Sequence, residues 1–143
     1  MIRAFVAVPV EDPVVRRRLV GARSLVPPLH GLRWIPESQL HFTVKFLGEI
    51  KDDRVEAAKA ATWAAAAVAS RTATPGAGTA IPSRVALEGL GAFPPRGPAR
   101  VLWAGCGEGA EALTAIGAVV EEAFAAEGFP REERPFSPHL TLA

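Results

Sequence analysis

Two histidines in this 143-residue chain each stand two residues ahead of a threonine, with an apolar residue after each: His41-Phe42-Thr43-Val44 and His139-Leu140-Thr141-Leu142. The chain holds three histidines and seven threonines. Chance puts Thr at that spacing from two of the histidines roughly 1% of the time, a modest false-positive risk for a short motif. Paired imidazoles are the simplest acid–base device near neutrality. With an ordinary pKa of about 6.5, one can accept a proton while the other, protonated, delivers one. Threonine hydroxyls beside them can donate hydrogen bonds to an oxyanion whose charge grows in the transition state. That inventory suits cleavage or transesterification of a phosphodiester and needs no metal. Two histidines are too few for a dedicated zinc site. A metal held by both plus a carboxylate is a second reading, though no acidic residue is placed suggestively near either tetrad. A single His-x-Thr would read as an outward polar pair on a strand, and the repeat is what carries the functional reading. His30 has no Thr two residues on and reads as a loop bystander.

Strand geometry explains how such tetrads present their polar groups. Over Leu40–Leu47 the side chains alternate, so Leu40, Phe42, Val44 and Phe46 are expected on a core face and His41, Thr43 and Lys45 on the other. Leu140 and Leu142 repeat the core face, and His139 and Thr141 the polar one. Within a strand the imidazole and hydroxyl stand about 7 Å apart. Two such strands facing each other across a cleft would converge on one small polar ligand.

The rest of the chain reads as scaffold. Residues 2–8 predict a strand, stopped at Pro9. Asp12-Pro13 predicts a helix start, with Val15, Leu19, Ala22 and Val26 inward and Pro27-Pro28 as the stop. Leu32–Ile35 predicts a short strand. Gly48 should close the first His-x-Thr strand. Asp53 and Glu56 form a possible capping box for a helix to about Ser70, with Val55, Ala58, Thr62, Ala65 and Val68 or Ala69 inward. Residues 71–80 are loop by composition and suit a linker between halves. Val85-Ala86-Leu87 and Arg100–Cys106 read as strands with a turn at Pro94–Ala99. Leu113, Ile116, Val120 and Phe124 define a helix ended by Gly128. One His-x-Thr strand falls in each half, which predicts a pseudo-duplicated α+β fold with antiparallel sheets.

Bulk properties narrow the class. Net charge is +1, hydrophobic residues are 49% and charged residues 22%, ordinary for a globular domain. The 16 basic residues are mostly arginine, and Arg16-Arg17-Arg18 reads as a solvated helix face. The single Cys106 excludes an internal disulfide and a cysteine-based metal site. No apolar run reaches the ~20 residues of a membrane span. The expectation is a cytoplasmic monomer with no membrane association and no obligate protein partner.

The tetrads resemble the paired His-x-Thr-x motifs of the 2H phosphoesterase superfamily. Three blocks are similar to the bacterial and archaeal RNA 2′,3′-cyclic phosphodiesterases, first described as 2′-5′ RNA ligases: Met1–Val8, Gln39–Gly48 and Arg134–Ala143. The resemblance implies one bilobal domain over residues 1–143. Two pseudo-symmetric lobes of antiparallel sheet would carry helices outside and the active-site cleft between them. It implies hydrolysis of an RNA or nucleotide 2′,3′-cyclic phosphate to a 2′-phosphomonoester, without metal or cofactor. His41 and His139 would be the acid–base pair, and Thr43 and Thr141 would hold phosphate oxygens. The sequence does not order the two histidine roles; our preference has His41 protonating the departing 3′-oxygen and His139 activating water. Alternatives are a non-catalytic RNA-end or nucleotide-binding module and reversible 2′-5′ ligation. The family usually continues with a further helix and strand beyond the second motif, so the chain reads as truncated relative to it. On that reading Leu140 and Leu142 should be poorly covered, and His139 and Thr141 should sit on a loosely held end. Phe5 and Trp34 are the aromatic residues expected near the cleft, with Phe42 in the core.

Overall fold

The computed structural model describes residues 1–28, 30–72 and 85–143. Its elements are β1 (Ile2–Pro9), α1 (Pro13–Gly21), β2 (His41–Ile50), α2 (Val55–Thr72), β3 (Leu87–Phe93), β4 (Val101–Cys106), α3 (Ala110–Ala126) and β5 (His139–Thr141), with short 3-10 turns at Ala22–Leu25, Glu37–Gln39 and Asp52–Arg54. The strands form one antiparallel sheet in the order β1-β2-β5-β4-β3. The fold is α+β. The expected lobes of sheet are one continuous sheet, with β2 of the first half paired directly to β5 of the second. The proposed linker begins after α2, because Arg71 and Thr72 complete that helix; residues 73–80 lie outside the described residues.

Local chemistry accounts for the helix ends. Asp12 caps α1 by accepting from the N–H groups of Val14 (2.8 Å) and Val15 (3.2 Å), and Pro13 follows where no donor is needed. α3 closes with paired backbone bonds, Phe129 N–H to Phe124 and Gly128 N–H to Ala125, which need the left-handed backbone of Gly128 (φ 83°). The Phe124 and Phe129 rings pack at 5.2 Å over that turn. The expected capping box at Asp53 and Glu56 is replaced by the 3-10 turn, and Glu56 pairs with Lys59 instead.

One face of the sheet is covered. α1 and the start of α3 bury Leu19, Leu40, Phe42, Ala104, Leu113, Leu140 and Leu142. α2 and the end of α3 bury Val44, Ile50, Ala61, Ala65, Val120 and Phe124, and Ile116 touches both clusters. Each fully buried large side chain adds about 1.5–3 kcal/mol. The inward stripe of α2 is Ala61, Ala65 and Ala69 with half-buried Val55 and Ala58, as expected except that Ala61 takes the place of Thr62.

Three further expectations are corrected. Leu32–Ile35 is not a strand; its pairing is a single bond from Ile35 N–H to the Leu142 carbonyl (2.8 Å). Trp34 packs on the helix side of the sheet beneath Arg23, away from the histidines. β5 is not frayed, because it lies between β2 and β4, Leu140 is 0% exposed, and Leu142 and Ala143 exchange backbone bonds with Leu102.

Candidate active site

The two tetrads come together as neighbours, not as strands facing across a gap. Phe42 pairs with Leu140 in antiparallel register, which sets His41 opposite Thr141 and Thr43 opposite His139. Directly opposed side chains have Cβ atoms about 4.5–5.5 Å apart, and diagonal ones about 7–8 Å. All four polar side chains therefore share the open face of the sheet within one small patch, while Phe42 and Leu140 between them are buried.

Each imidazole is oriented by the backbone just before it. His41 Nδ1 lies 2.6 Å from the Gln39 carbonyl, and His139 Nδ1 lies 2.8 Å from the Ser137 carbonyl. A carbonyl only accepts, so Nδ1 carries the proton in both rings and Nε2 is left for chemistry. Nε2 accepts a proton when the ring is neutral and donates one when it is charged. The bond is the same i to i−2 contact in both tetrads, the clearest trace of pseudo-duplication in the site.

A frame of aromatic rings surrounds the patch. Phe5 stacks on His41 (5.0 Å, 19°) and meets Phe46 at 6.4 Å. On the other side Phe93 stands edge-on to His139 at 5.4 Å, with Trp103 behind it. Trp103 lies against two glycines. A Cβ on Gly91 would sit 2.2 Å from the indole, and one on Gly105 would press the Glu88 carbonyl at 2.7 Å. Trp103 Nε1 is buried with no hydrogen-bond partner among the described residues. Phe5 was expected near the cleft. Phe46, Phe93 and Trp103 were not, and the glycines opposite Trp103 and His139 in β3 and β4 were the available signal.

Phe46 reaches this face because β2 bulges. Lys45 pairs with Val6 and Thr43 with Ala7, leaving Val44 as an extra residue. The bulge reverses the alternation. Lys45, expected beside His41 and Thr43, is instead 5% exposed on the helix side, and Phe46, expected in the core, is 62% exposed. Lys45 Nζ bonds Glu121 Oε1 (2.7 Å) and the Pro130 carbonyl (3.1 Å), and Glu121 Oε2 also accepts from Glu132 N–H (3.2 Å). These bonds fasten the segment that leads into His139. A cavity of about 960 Å³ opens beside Thr43 and His139, with Phe46 and Phe93 among its lining residues. Among the described residues no three His, Cys, Asp or Glu side chains gather as a metal-binding group, and no helix is long and apolar enough to cross a membrane.

The chain as a whole is similar to known proteins. The model of the 2′-5′ RNA ligase superfamily matches residues 10–143. A Geobacillus stearothermophilus protein named RNA 2′,3′-cyclic phosphodiesterase is 34% identical over 141 residues, covering 97% of this chain and 40% of that one. One of the same name from Archaeoglobus fulgidus is 31% identical, covering 98% of this chain and 70% of that one. The crystal structure of TT0787 of Thermus thermophilus superposes with a TM-score of 0.72 at 31% identity, over 99% of this chain and 73% of that one. This chain therefore spans 40% of the first relative's length and 70% of the second's. It belongs to the 2′-5′ RNA ligase superfamily, the two-histidine phosphoesterases.

Proposed function

We propose that this chain hydrolyses 2′,3′-cyclic phosphates at RNA ends or on small nucleotides to a 2′-phosphomonoester; in support, its relatives are named RNA 2′,3′-cyclic phosphodiesterase. The observation that carries the reading is the β2–β5 register, which sets each His beside the other tetrad's Thr, with each ring oriented through Nδ1. In this mechanism one neutral imidazole takes a proton from water as the oxygen attacks phosphorus. The P–O3′ bond breaks, and the second imidazole, protonated, gives its Nε2 proton to O3′. Thr43 and Thr141 donate to the non-bridging oxygens, whose charge rises in the transition state. We keep His41 as the acid and His139 as the base. The chain works without metal as a single 1–143 domain, a cytoplasmic monomer with no obligate partner. Turnover of adenosine 2′,3′-cyclic phosphate in EDTA tests this, with the product's phosphate position read by ³¹P NMR. The 2′-phosphate is expected. Folded protein that leaves the substrate intact, or that needs a divalent ion, contradicts the proposal.

A further inference from the structure

The two histidines are oriented by the same kind of bond, yet the carbonyls that accept it are held differently. Gln39, whose carbonyl meets His41, ends a 3-10 turn closed by its own backbone. Gln39 N–H donates to the Pro36 carbonyl (2.9 Å), and the next carbonyl, that of Leu40, accepts from Val10 N–H (2.9 Å). Ser137, whose carbonyl meets His139, lies in a stretch, residues 129–138, with neither helix nor strand. Pro138 biases Ser137 toward extended backbone but does not fix the direction from which the chain reaches the sheet. A side chain has to do so.

Among residues 131–137, Phe136 alone is not exposed, and it packs on the core cluster that contains Leu113 and Leu140. Its ring lies over Gly117 of α3, where a Cβ would stand 3.2 Å from Cδ1 and 3.3 Å from Cγ, closer than carbon atoms pack at their optimum. Glycine weakens a helix interior, so its place here has a packing reason: the ring takes the space. One turn further along α3, Glu121 accepts from Glu132 N–H (3.2 Å) and from Lys45. Gly117 and Glu121, four residues apart, share a face of the helix. The segment runs back along that face, docked first at Glu132 and again at Phe136. We propose that Phe136, seated in the notch at Gly117, is a positioning residue for His139: it fixes the Ser137 carbonyl and, through it, the orientation of the ring and the proton on Nδ1. A neutral His139 held this way carries its lone pair on Nε2. The consequence for turnover rests on the phosphodiesterase reading, in which His139 is the base; the tautomer does not.

Long-range ¹H–¹⁵N NMR of the imidazoles tests this in the full chain at about pH 9, above the ordinary imidazole pKa of about 6.5, with His41 as the internal control. Both neutral rings are expected in the Nδ1–H form. Phe136→Ala should lower the ratio of Nδ1–H to Nε2–H in His139 by about 2- to 12-fold, the contribution of one hydrogen bond expressed as a ratio, and leave His41 unchanged. Gly117→Ala fills the notch and displaces the ring without removing it. It should shift His139 in the same direction, and it decides the matter if Phe136→Ala does not fold. An unmodified chain without the Nδ1–H form at His139 overturns the inference, as does an unchanged His139 in the variants or an equal change in both histidines. This readout needs no turnover. Hydrolysis with an unresponsive His139 removes only the positioning role, and a responsive His139 without hydrolysis removes only the phosphodiesterase reading.

Discussion

Lys45 and Glu121 form an ion pair of 2.7 Å between β2 and α3, one position beyond the bulge that separates Lys45 from the face carrying His41 and Thr43. The Lys45 side chain is almost fully enclosed, so its charge depends on Glu121 and the Pro130 carbonyl. Removing one partner of a buried pair leaves an uncompensated charge. Glu121→Ala is expected to destabilise the fold by about 3 to 5 kcal/mol, measured by urea unfolding. Lys45→Met, which removes the charge and keeps the volume, should cost less. Equal losses for the two variants would show that the pair's value lies in packing alone.

Trp103 gives a second expectation. Its indole occupies the space that a side chain at Gly91 would need. Gly91→Ala is therefore expected to displace the ring and, with it, the Phe93–His139 contact. Overpacking of this kind costs about 1–3 kcal/mol, and a small displacement of a reacting group costs up to about 10²-fold in rate. Activity should fall by a larger factor than the loss of stability explains. A variant with lower Tm and an unchanged rate at 25 °C would detach Trp103 from the site.

Leu140 lies between the candidate catalytic His139 and the candidate phosphate-binding Thr141 and is fully buried where β5 sits between β2 and β4. Leu140→Ala should cost about 2–5 kcal/mol, read from denaturant midpoints. A cost well under this range would mean that the second tetrad is held chiefly by its backbone bonds.

Burial pushes the Cys106 thiol above its ordinary value. On rising pH the unfolded chain gives up this proton first. The contribution to stability is thus complete below the unfolded thiol's value of about 8.5 and is lost as pH climbs toward the folded one. Unfolding free energies from pH 7 to 10 should fall more for the unmodified chain than for Cys106→Ala. Parallel curves would contradict the shift.

The arrangement of the candidate site was legible in the sequence to the extent that it lies in local pattern. His41, Thr43, His139 and Thr141 were marked by their spacing, α1 by Asp12-Pro13, and α3 by Leu113, Ile116, Val120 and Phe124. The bulge at Val44 was not legible, because an extra residue is defined only against the partner strand, and it reversed the faces of Lys45 and Phe46. The stripe of α2 was legible except at Thr62, whose place Ala61 takes, because a run of alanines carries almost no contrast between faces. The carbonyls of Gln39 and Ser137 that orient the histidines belong to the backbone, so no residue type announces them. The adjacency of β2 and β5 depends on pairing across nearly a hundred residues, and alternation within each strand does not reveal its neighbour.

The central claim is that His41 and His139 act as one acid–base pair, and kcat/KM for adenosine 2′,3′-cyclic phosphate tests it in the unmodified chain, His41→Ala, His139→Ala and the double variant. Each single substitution is expected to lower kcat/KM by at least about 10²-fold, and the double variant to lose little more, since a transfer missing either partner is already broken. Near-full activity in either single variant, with the fold intact, would contradict the account.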